Sequence, residues 1–229
     1  MKVSISKDVF KEFHPKLKVV LISMKGIDNQ SKLEESQELL EEIKQFTKLT
    51  FNKDTIKNHY LVSPWALAQQ AFGKKAKHYN TSAERLIKAV LSNKEIKTKD
   101  TLRNILQYLS LKHIVPIEAD DLNKLEGDLF FSLATGREKA GILKKLNKNT
   151  LYYHDNKKVL GTKLDYWHNQ KTLPDKNTTN ALIHLEILPP LDQKKTEVLL
   201  KDTTSLVRNF CGGKIKIFSL DKKNSSVKI

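Results

Sequence analysis

HYNTSAERLIKAVLSNKEIKTKDTLRNILQYLSLKHIVPIEADDLNKLEGD, residues 78–128, reads as two helices joined by a short connection. Thr81 or Ser82 supplies an N-cap, and Glu84 complements the exposed amides of the first turn. Leu86, Ile87, Val90 and Leu91 recur on one helical face. After a Lys-rich connection, Leu102, Ile105, Leu106, Leu109 and Leu111 make a second apolar stripe, and the other face of that helix carries Asn104, Gln107 and Ser110. A row of neutral hydrogen-bonding side chains is either a pocket wall or an ordinary solvated face. The residues by themselves favour the plainer alternative.

Working outward, Lys16–Met24 (KLKVVLISM) reads as a strand, with a short amphipathic turn around Val9–Phe13 before it. Ser31–Phe46 is expected to be a helix capped by Ser31, with Leu33, Leu40, Ile43 and Phe46 inward. A further helix is expected over Asn58–Phe72, with Pro64 in its first turn, Trp65 and Phe72 packed and Gly73 ending it. Beyond Asp128 the period shortens. Leu129–Ala134, Gly141–Leu146, Thr150–His154 and Lys158–Leu164 read as short strands, and Ala181–Leu188 as a longer one stopped by Pro189-Pro190. Lys194–Phe210 is a long helix with Val198, Leu199, Leu206, Val207 and Phe210 inward and Gly212 as its cap, and Ile215–Phe218 adds a last strand. Helices and strands mix without regular βαβ alternation. The expected class is therefore α+β, a central mixed β-sheet flanked by helices. We expect one domain over 1–229, with a helical half to about 115, a strand-rich half over about 116–220 and a loose tail at 221–229.

With 229 residues, 39% hydrophobic and 29% charged, the chain has the composition of a soluble globular protein. Cys211 is the single cysteine, so no internal disulfide forms and a cytoplasmic home is expected. Residues 1–15 are charged throughout and do not resemble a signal peptide, and the apolar run Val19–Met24 is too short to cross a bilayer. No membrane association is expected, and a monomer is. The net charge of +15 favours polyanions, because neutralised phosphates release counterions. Acidic residues gather at Glu34, Glu35, Glu38, Glu41 and Glu42, while Lys74–Lys112 is dominated by Lys and Arg. One basic face is the reading; lysines decorating a surface at random is the alternative.

Several chemistries are unsupported. The seven histidines show no helical ligand spacing and have no cysteine partners, so no metal and no cofactor are expected. Gly73-Lys74-Lys75 lacks the first glycine and the hydroxyl residue of a phosphate loop, and no serine sits in a Gly-x-Ser-x-Gly elbow. A denser signal is Trp167-His168-Asn169-Gln170-Lys171-Thr172, followed by Asn177-Thr178-Thr179-Asn180. It reads equally as a turn-rich polar loop and as the edge of a cavity.

Three short patterns bear a resemblance. Ser82-Ala83-Glu84-Arg85-Leu86, the segment Asn104 to Leu111, and Pro116-Ile117-Glu118-Ala119-Asp120-Asp121-Leu122 resemble stand-alone relatives of the B3/B4 editing domain of the bacterial phenylalanyl-tRNA synthetase β subunit. The likeness extends from the Phe10–Asn29 region to about Pro190. It implies that the 167–180 loop faces the same cavity as Asn104 and Gln107. In this reading Asn104, Gln107, Thr178 and Thr179 place water and ester. Ser110, His113, Glu118, Gln170 and Thr172 contact substrate, with His113 equally readable as a buried structural histidine. Lys74, Lys75, Lys77, Arg85 and Lys88 hold acceptor-end phosphates. The pattern also departs from the synthetase. Glu118 stands where the synthetase has a histidine, no Gly-Gly-Glu precedes the Thr-rich stretch, and Asp-x-x-Asn of the relatives is Asn104-x-x-Gln107. Tyrosine specificity therefore does not carry over.

Neutral groups suit the chemistry so implied. An aminoacyl-tRNA ester is an activated acyl donor whose hydrolysis needs a placed water and oxyanion donors, with no protein nucleophile. The expected function is hydrolysis of a mischarged tRNA in trans, the tRNA acceptor end being the partner. Two alternatives stay open: a non-catalytic tRNA-binding or synthetase-associated module, and a binder of free amino acids.

Overall fold

The computed structural model describes residues 1–60, 62–63, 80–139, 145–162, 167–188 and 191–229. Among the described residues nine strands form two sheets: β1 (Lys2–Ile5), β2 (Lys18–Lys25), β3 (Glu118–Asp121), β4 (Leu129–Leu133), β5 (Leu151–His154), β6 (Val159–Thr162), β7 (Asn180–Ile187), β8 (Lys214–Leu220) and β9 (Ser226–Lys228). One sheet has the order β6-β5-β4-β1-β9 and is mixed, because β1 runs parallel to β4 and antiparallel to β9. The other, β3-β7-β2-β8, is antiparallel. Four α-helices accompany them among the described residues: α1 (Leu33–Thr50), α2 (Ser82–Leu91), α3 (Thr101–His113) and α4 (Gln193–Cys211). The class is α+β, with the strands divided between two sheets that share one apolar cluster.

That cluster joins Val3 and Phe131 of the mixed sheet to Leu21 and Ile183 of the antiparallel one, and it takes in Ile105 and Leu109 of α3 and Leu199 of α4. β7 lies between β3 and β2, and every residue from Ala181 to Ile187 is buried, with Ala181, Ile183, Leu185 and Ile187 on one face and Leu182, His184 and Glu186 on the other. A second cluster packs Leu40 and Ile43 of α1 against Ile87 and Val90 of α2 and Leu111 of α3.

Helix boundaries follow local chemistry. Thr81 Oγ1 accepts from Glu84 N at 3.1 Å at the start of α2, and Asp100 Oδ1 accepts from Arg103 N at 2.9 Å at the start of α3. The start of α1 differs from expectation. Ser31 does not cap it: Asp28 Oδ1 accepts from the amides of Gln30 and Ser31 in a turn, and the helix begins after Lys32, whose φ is 51°. The buried side of α1 is Ser36, Leu40, Ile43, Lys44 and Thr47, which turns Phe46 out to 61% exposure. Val198 of α4 is likewise 49% exposed.

The two halves expected from sequence interleave. β1 and β2, from the first half, are interior strands of the two sheets. The tail is a strand as well. Asp221 Oδ1 accepts from the amides of Lys223 and Asn224 to close a turn, and β9 then pairs with β1, Val227 opposite Val3. Backbone pairing needs no apolar side chain, so a polar tail carries no sign of it. Residues 141–144 of the strand expected over 141–146, most of the helix expected over 58–72 with its Gly73 end, and the Pro189-Pro190 stop lie outside the described residues, and Lys145 and Leu146 are not in a strand; Ile56–Asn58 forms a single helical turn. No helix among the described residues is long and apolar enough to cross a membrane.

Candidate functional site

A cleft of about 680 Å³ opens between α2, α3, β3 and the loop after β6. Pockets that hold small ligands commonly occupy about 300–1,000 Å³. Ser82, Arg85 and Leu86 form the α2 wall, and Arg103, Leu106 and Gln107 the α3 wall. Ile117 to Ala119 and Trp167 to Lys171 close the remaining sides. Segments far apart in sequence thus meet: Gln107 and Gln170 border the same space.

The loop is held from behind. His168 bridges back to Gly161, Asn169 N donates to Leu160 O at 2.7 Å, and Asn169 Nδ2 donates to Val159 O at 3.0 Å. Beneath it lies a buried polar network that the sequence did not announce. His168 Nε2 is 3.0 Å from Asp120 Oδ1, and Tyr153 OH donates to Asp120 Oδ2 at 3.2 Å. The His184 ring stacks 6.0 Å from that of His168 and lies 4.6 Å from that of Tyr153. Burial is the largest influence on the Asp120 carboxyl and pushes its pKa up. The adjacent His168, its hydrogen bond, His184 and Thr172 together outweigh burial and hold the group below the ordinary carboxylate range. Gly161 makes room for this arrangement, since a Cβ there would meet the Tyr153 ring. Because His168 itself lines the cleft, the network forms its floor. Asp120 and His184 belong to the antiparallel sheet and Tyr153 to the mixed one, so only the packing of the two sheets brings them together.

Among the described residues, two buried side-chain atoms of cleft-lining residues, Ser82 Oγ and Gln107 Oε1, have no hydrogen-bond partner. Among charged side chains of the lining, Arg85, Arg103 and Lys171 oppose Glu118. The Arg103 guanidinium stands 3.7 Å from Asp100.

The residues expected to form the site divide. Gln107, Glu118, Gln170, Ser110 and Arg85 line the cleft. Ser110 does so with its hydroxyl committed, since Oγ donates to Val115 O at 2.8 Å and pins the turn at Ile114 that leads toward β3. Asn104 is elsewhere. It is fully buried on the α1 side of α3, its Nδ2 donating to Ser36 Oγ and its Oδ1 accepting from Thr98. Residues three apart on a helix differ by about 60° in direction, and here that angle separates the helix contact from the cleft. Thr178 is buried at the far end of the loop, where its Oγ1 donates to Asp121 Oδ2 at 2.7 Å and accepts from Asp175 N at 2.9 Å. Thr179, exposed, gives its carbonyl to Ile27 N. Thr172 is buried, with Oγ1 donating to Asn169 O at 3.1 Å. His113 sits against α4, 3.1 Å from Asp202; burial is the largest influence on it and holds its pKa below the ordinary value. Lys88 is tied to Glu84 at 2.6 Å and to Asn80 at 3.0 Å, away from the cleft lining. Lys74, Lys75 and Lys77 lie outside the described residues.

Two sheets around a common core, with helices α2 and α3 beside a cleft on one side, make an α+β domain. Among the described residues no group of histidines, cysteines and carboxylates is arranged to hold a metal ion. A family model, the B3/4 domain, matches residues 65–212, well over half of the chain, and the protein belongs to that family. The matched segment contains every wall of the cleft. No curated protein matches the chain.

Proposed function

We propose that the cleft receives the aminoacylated 3′ adenosine of a tRNA and that the protein hydrolyses the ester of a mischarged tRNA in trans. One observation carries this reading: Gln107 of α3 and Gln170 of the loop, far apart in sequence, border a single cleft together with Glu118 and Arg103. Amide side chains bordering one space can both donate and accept, which suits a ligand with mixed polar groups such as an aminoacyl-adenosine. Glu118 adds a negative charge for the ammonium, and the arginines of the helical walls add positive charge for phosphate.

Hydrolysis in this reading uses a water attacking the ester carbonyl, with Gln107 and Gln170 orienting it and the acid and the ribose hydroxyl leaving as products. No covalent enzyme intermediate is involved. Discrimination of near-cognate amino acids by a synthetase pocket amounts to only about 1–3 kcal/mol per methylene, which gives such a second check its use. Incubation with a mixture of mischarged tRNAs is expected to release one aminoacyl group selectively. Absence of release across all isoacceptors would remove the enzymatic claim.

The positions of Asn104 and Thr178 favour a second reading. With both committed to structure, fewer groups remain for catalysis, as in a non-catalytic tRNA-binding module that associates with a synthetase. That module would bind acceptor-end RNA without turnover, and co-purification with a synthetase would identify its partner.

A further inference from the structure

A second hollow, of about 610 Å³, adjoins the cleft across the loop after β6. Trp167, Asn169 and Lys171 border both spaces, so one loop is their common wall. Tyr152, His154 and Val159 bring the outer face of the mixed sheet into this hollow. Leu129, Phe131 and Tyr153 are buried in the core, which places Phe130, Tyr152 and His154 on the opposite face. The His154 ring lies nearly parallel to that of Phe130, 5.3 Å away, and to that of Tyr152, 5.0 Å away. Phe130 and His154 are partly exposed, and Phe130 joins none of the apolar clusters of the described residues. Next to Phe130 in register stand Ser4 of β1 and then Ser226 of β9, side chains too small to cover a ring.

The rim is basic. Lys139, Lys157, Lys158 and Lys171 border the hollow, against Glu138 and Asp155. Both carboxylates are turned into their own loops: Glu138 accepts from the amides of Thr135 and Gly136, and Asp155 Oδ1 from those of Lys157 and Lys158. Lys157 and Lys158 pair with Glu126, while Lys139 and Lys171 stay exposed.

We propose that this hollow and the Phe130–His154 stack seat the unpaired nucleotides that precede the terminal adenosine, with bases against the rings and phosphates at Lys139 and Lys171. The proposal rests on the reading of the cleft as the adenosine site, and not on hydrolysis. Two hollows joined across one loop suit a chain rather than a single nucleoside. Each unit of an unpaired RNA strand carries a flat base and a negative phosphate, the two features that aromatic rings beside lysines bind. In a duplex the base faces are already stacked on one another, so the rings select an unpaired strand.

The test is fluorescence anisotropy of the full chain with an RNA hairpin bearing four unpaired 3′ nucleotides that end in adenosine, beside the same hairpin bearing the adenosine only. The longer overhang is expected to bind about tenfold more tightly at low salt. Phe130→Ala and the pair Lys139→Gln with Lys171→Gln should each remove most of that preference. Lys194→Gln with Lys201→Gln, exposed on α4, should leave it in place. The Lys139 and Lys171 pair should also flatten the slope of log Kd against log salt by about 1.4, from about 0.7 for each single-strand phosphate contact. Both lysines are exposed, so this variant keeps its fold even if Phe130→Ala does not. Equal binding of the two overhangs, or a preference that survives the lysine pair, overturns the strand site. Equally tight binding of a blunt duplex of the same length overturns the role of the rings. Failure of the cleft reading looks different: omitting the terminal adenosine from the long overhang would then cost nothing, while the preference for length and its loss in the variants persist.

Discussion

Asn104 Nδ2 donates a 3.0 Å hydrogen bond to Ser36 Oγ, joining α3 to α1 through the interior of the protein. The same side chain accepts from Thr98 N at 2.8 Å and Thr98 Oγ1 at 3.0 Å, so it fastens the connection before α3 as well. Truncation would leave these donors buried without an acceptor, at a cost of about 1–3 kcal/mol. Asn104→Ala is therefore expected to lower the denaturant midpoint while deacylation per folded molecule stays within about twofold. A large fall in turnover at unchanged stability would contradict the structural assignment.

Gln107 should behave in the opposite way. Its Oε1 is buried and has no hydrogen-bond partner among the described residues, and replacing an unsatisfied polar group by an apolar side chain of similar size is close to neutral or stabilising. Gln107→Leu is expected to keep or raise the melting temperature and to reduce aminoacyl-tRNA turnover by about 10-fold or more. Such opposition between stability and activity marks a binding position. Thermal melts beside single-turnover hydrolysis decide the matter.

The Asp120–His168 contact predicts a pH dependence of stability. The Asp120 carboxyl is held below its ordinary range in the folded protein despite burial. Unfolded aspartate titrates near about 3.9, so the contribution is complete above that pH and is lost as the pH falls through the lower folded value. Asp120→Asn should destabilise the protein at neutral pH by about 3 kcal/mol, as expected for breaking a buried pair. The gap between wild type and variant should narrow below about pH 4. Urea unfolding at several pH values provides the measurement, and a constant gap would argue against an ionised Asp120 in the folded protein.

Gly161 offers a purely steric test. A Cβ at this position would overlap Tyr153 Cε1, with the tyrosine hydroxyl oxygen 2.9 Å away. Since that hydroxyl also bonds Asp120, the ring cannot yield without disturbing the cleft floor. Gly161→Ala is expected to cost about 1–3 kcal/mol through overpacking and to alter the near-ultraviolet signal of the tyrosines. Gly161→Ala combined with Tyr153→Phe should not restore full stability, since Asp120 would lose its Tyr153 donor.

Much of the secondary structure was legible because periodicity reports burial directly. The stripes Leu102, Ile105, Leu106, Leu109 and Ile87, Val90 are buried as expected, and the β7 run is a covered interior strand. Signals failed where side-chain pattern and backbone pairing part company. β9 is polar and still pairs, and β3, with Asp120 and Asp121 both buried, carries no strand signal in sequence. The acids are tolerated there because His168, Tyr153 and Thr178 meet them.

At the site, the residue types were legible and their directions were not. Asn104 and Gln107 look alike on a helical wheel, yet one is fastened to Ser36 and the other opens to the cleft. The Trp167–Lys171 block does border the cleft, while Thr172 and Thr178 brace the loop behind it. His168 could have been noticed within its polar block, but no spacing links it to Asp120 or Tyr153.

From sequence by itself came the α+β class, most of the helices and strands along the chain, the basic charge and the likeness to the B3/4 family. Those depend on local periodicity, capping and composition, each contained within a few residues. Tertiary structure alone decided that β1 and β2 enter separate sheets, that Asp120 meets His168 beneath the cleft, and which polar residues of α3 face it. Such matters depend on what packs against each element, and a helix face becomes an interior contact or a binding wall only when its neighbour arrives.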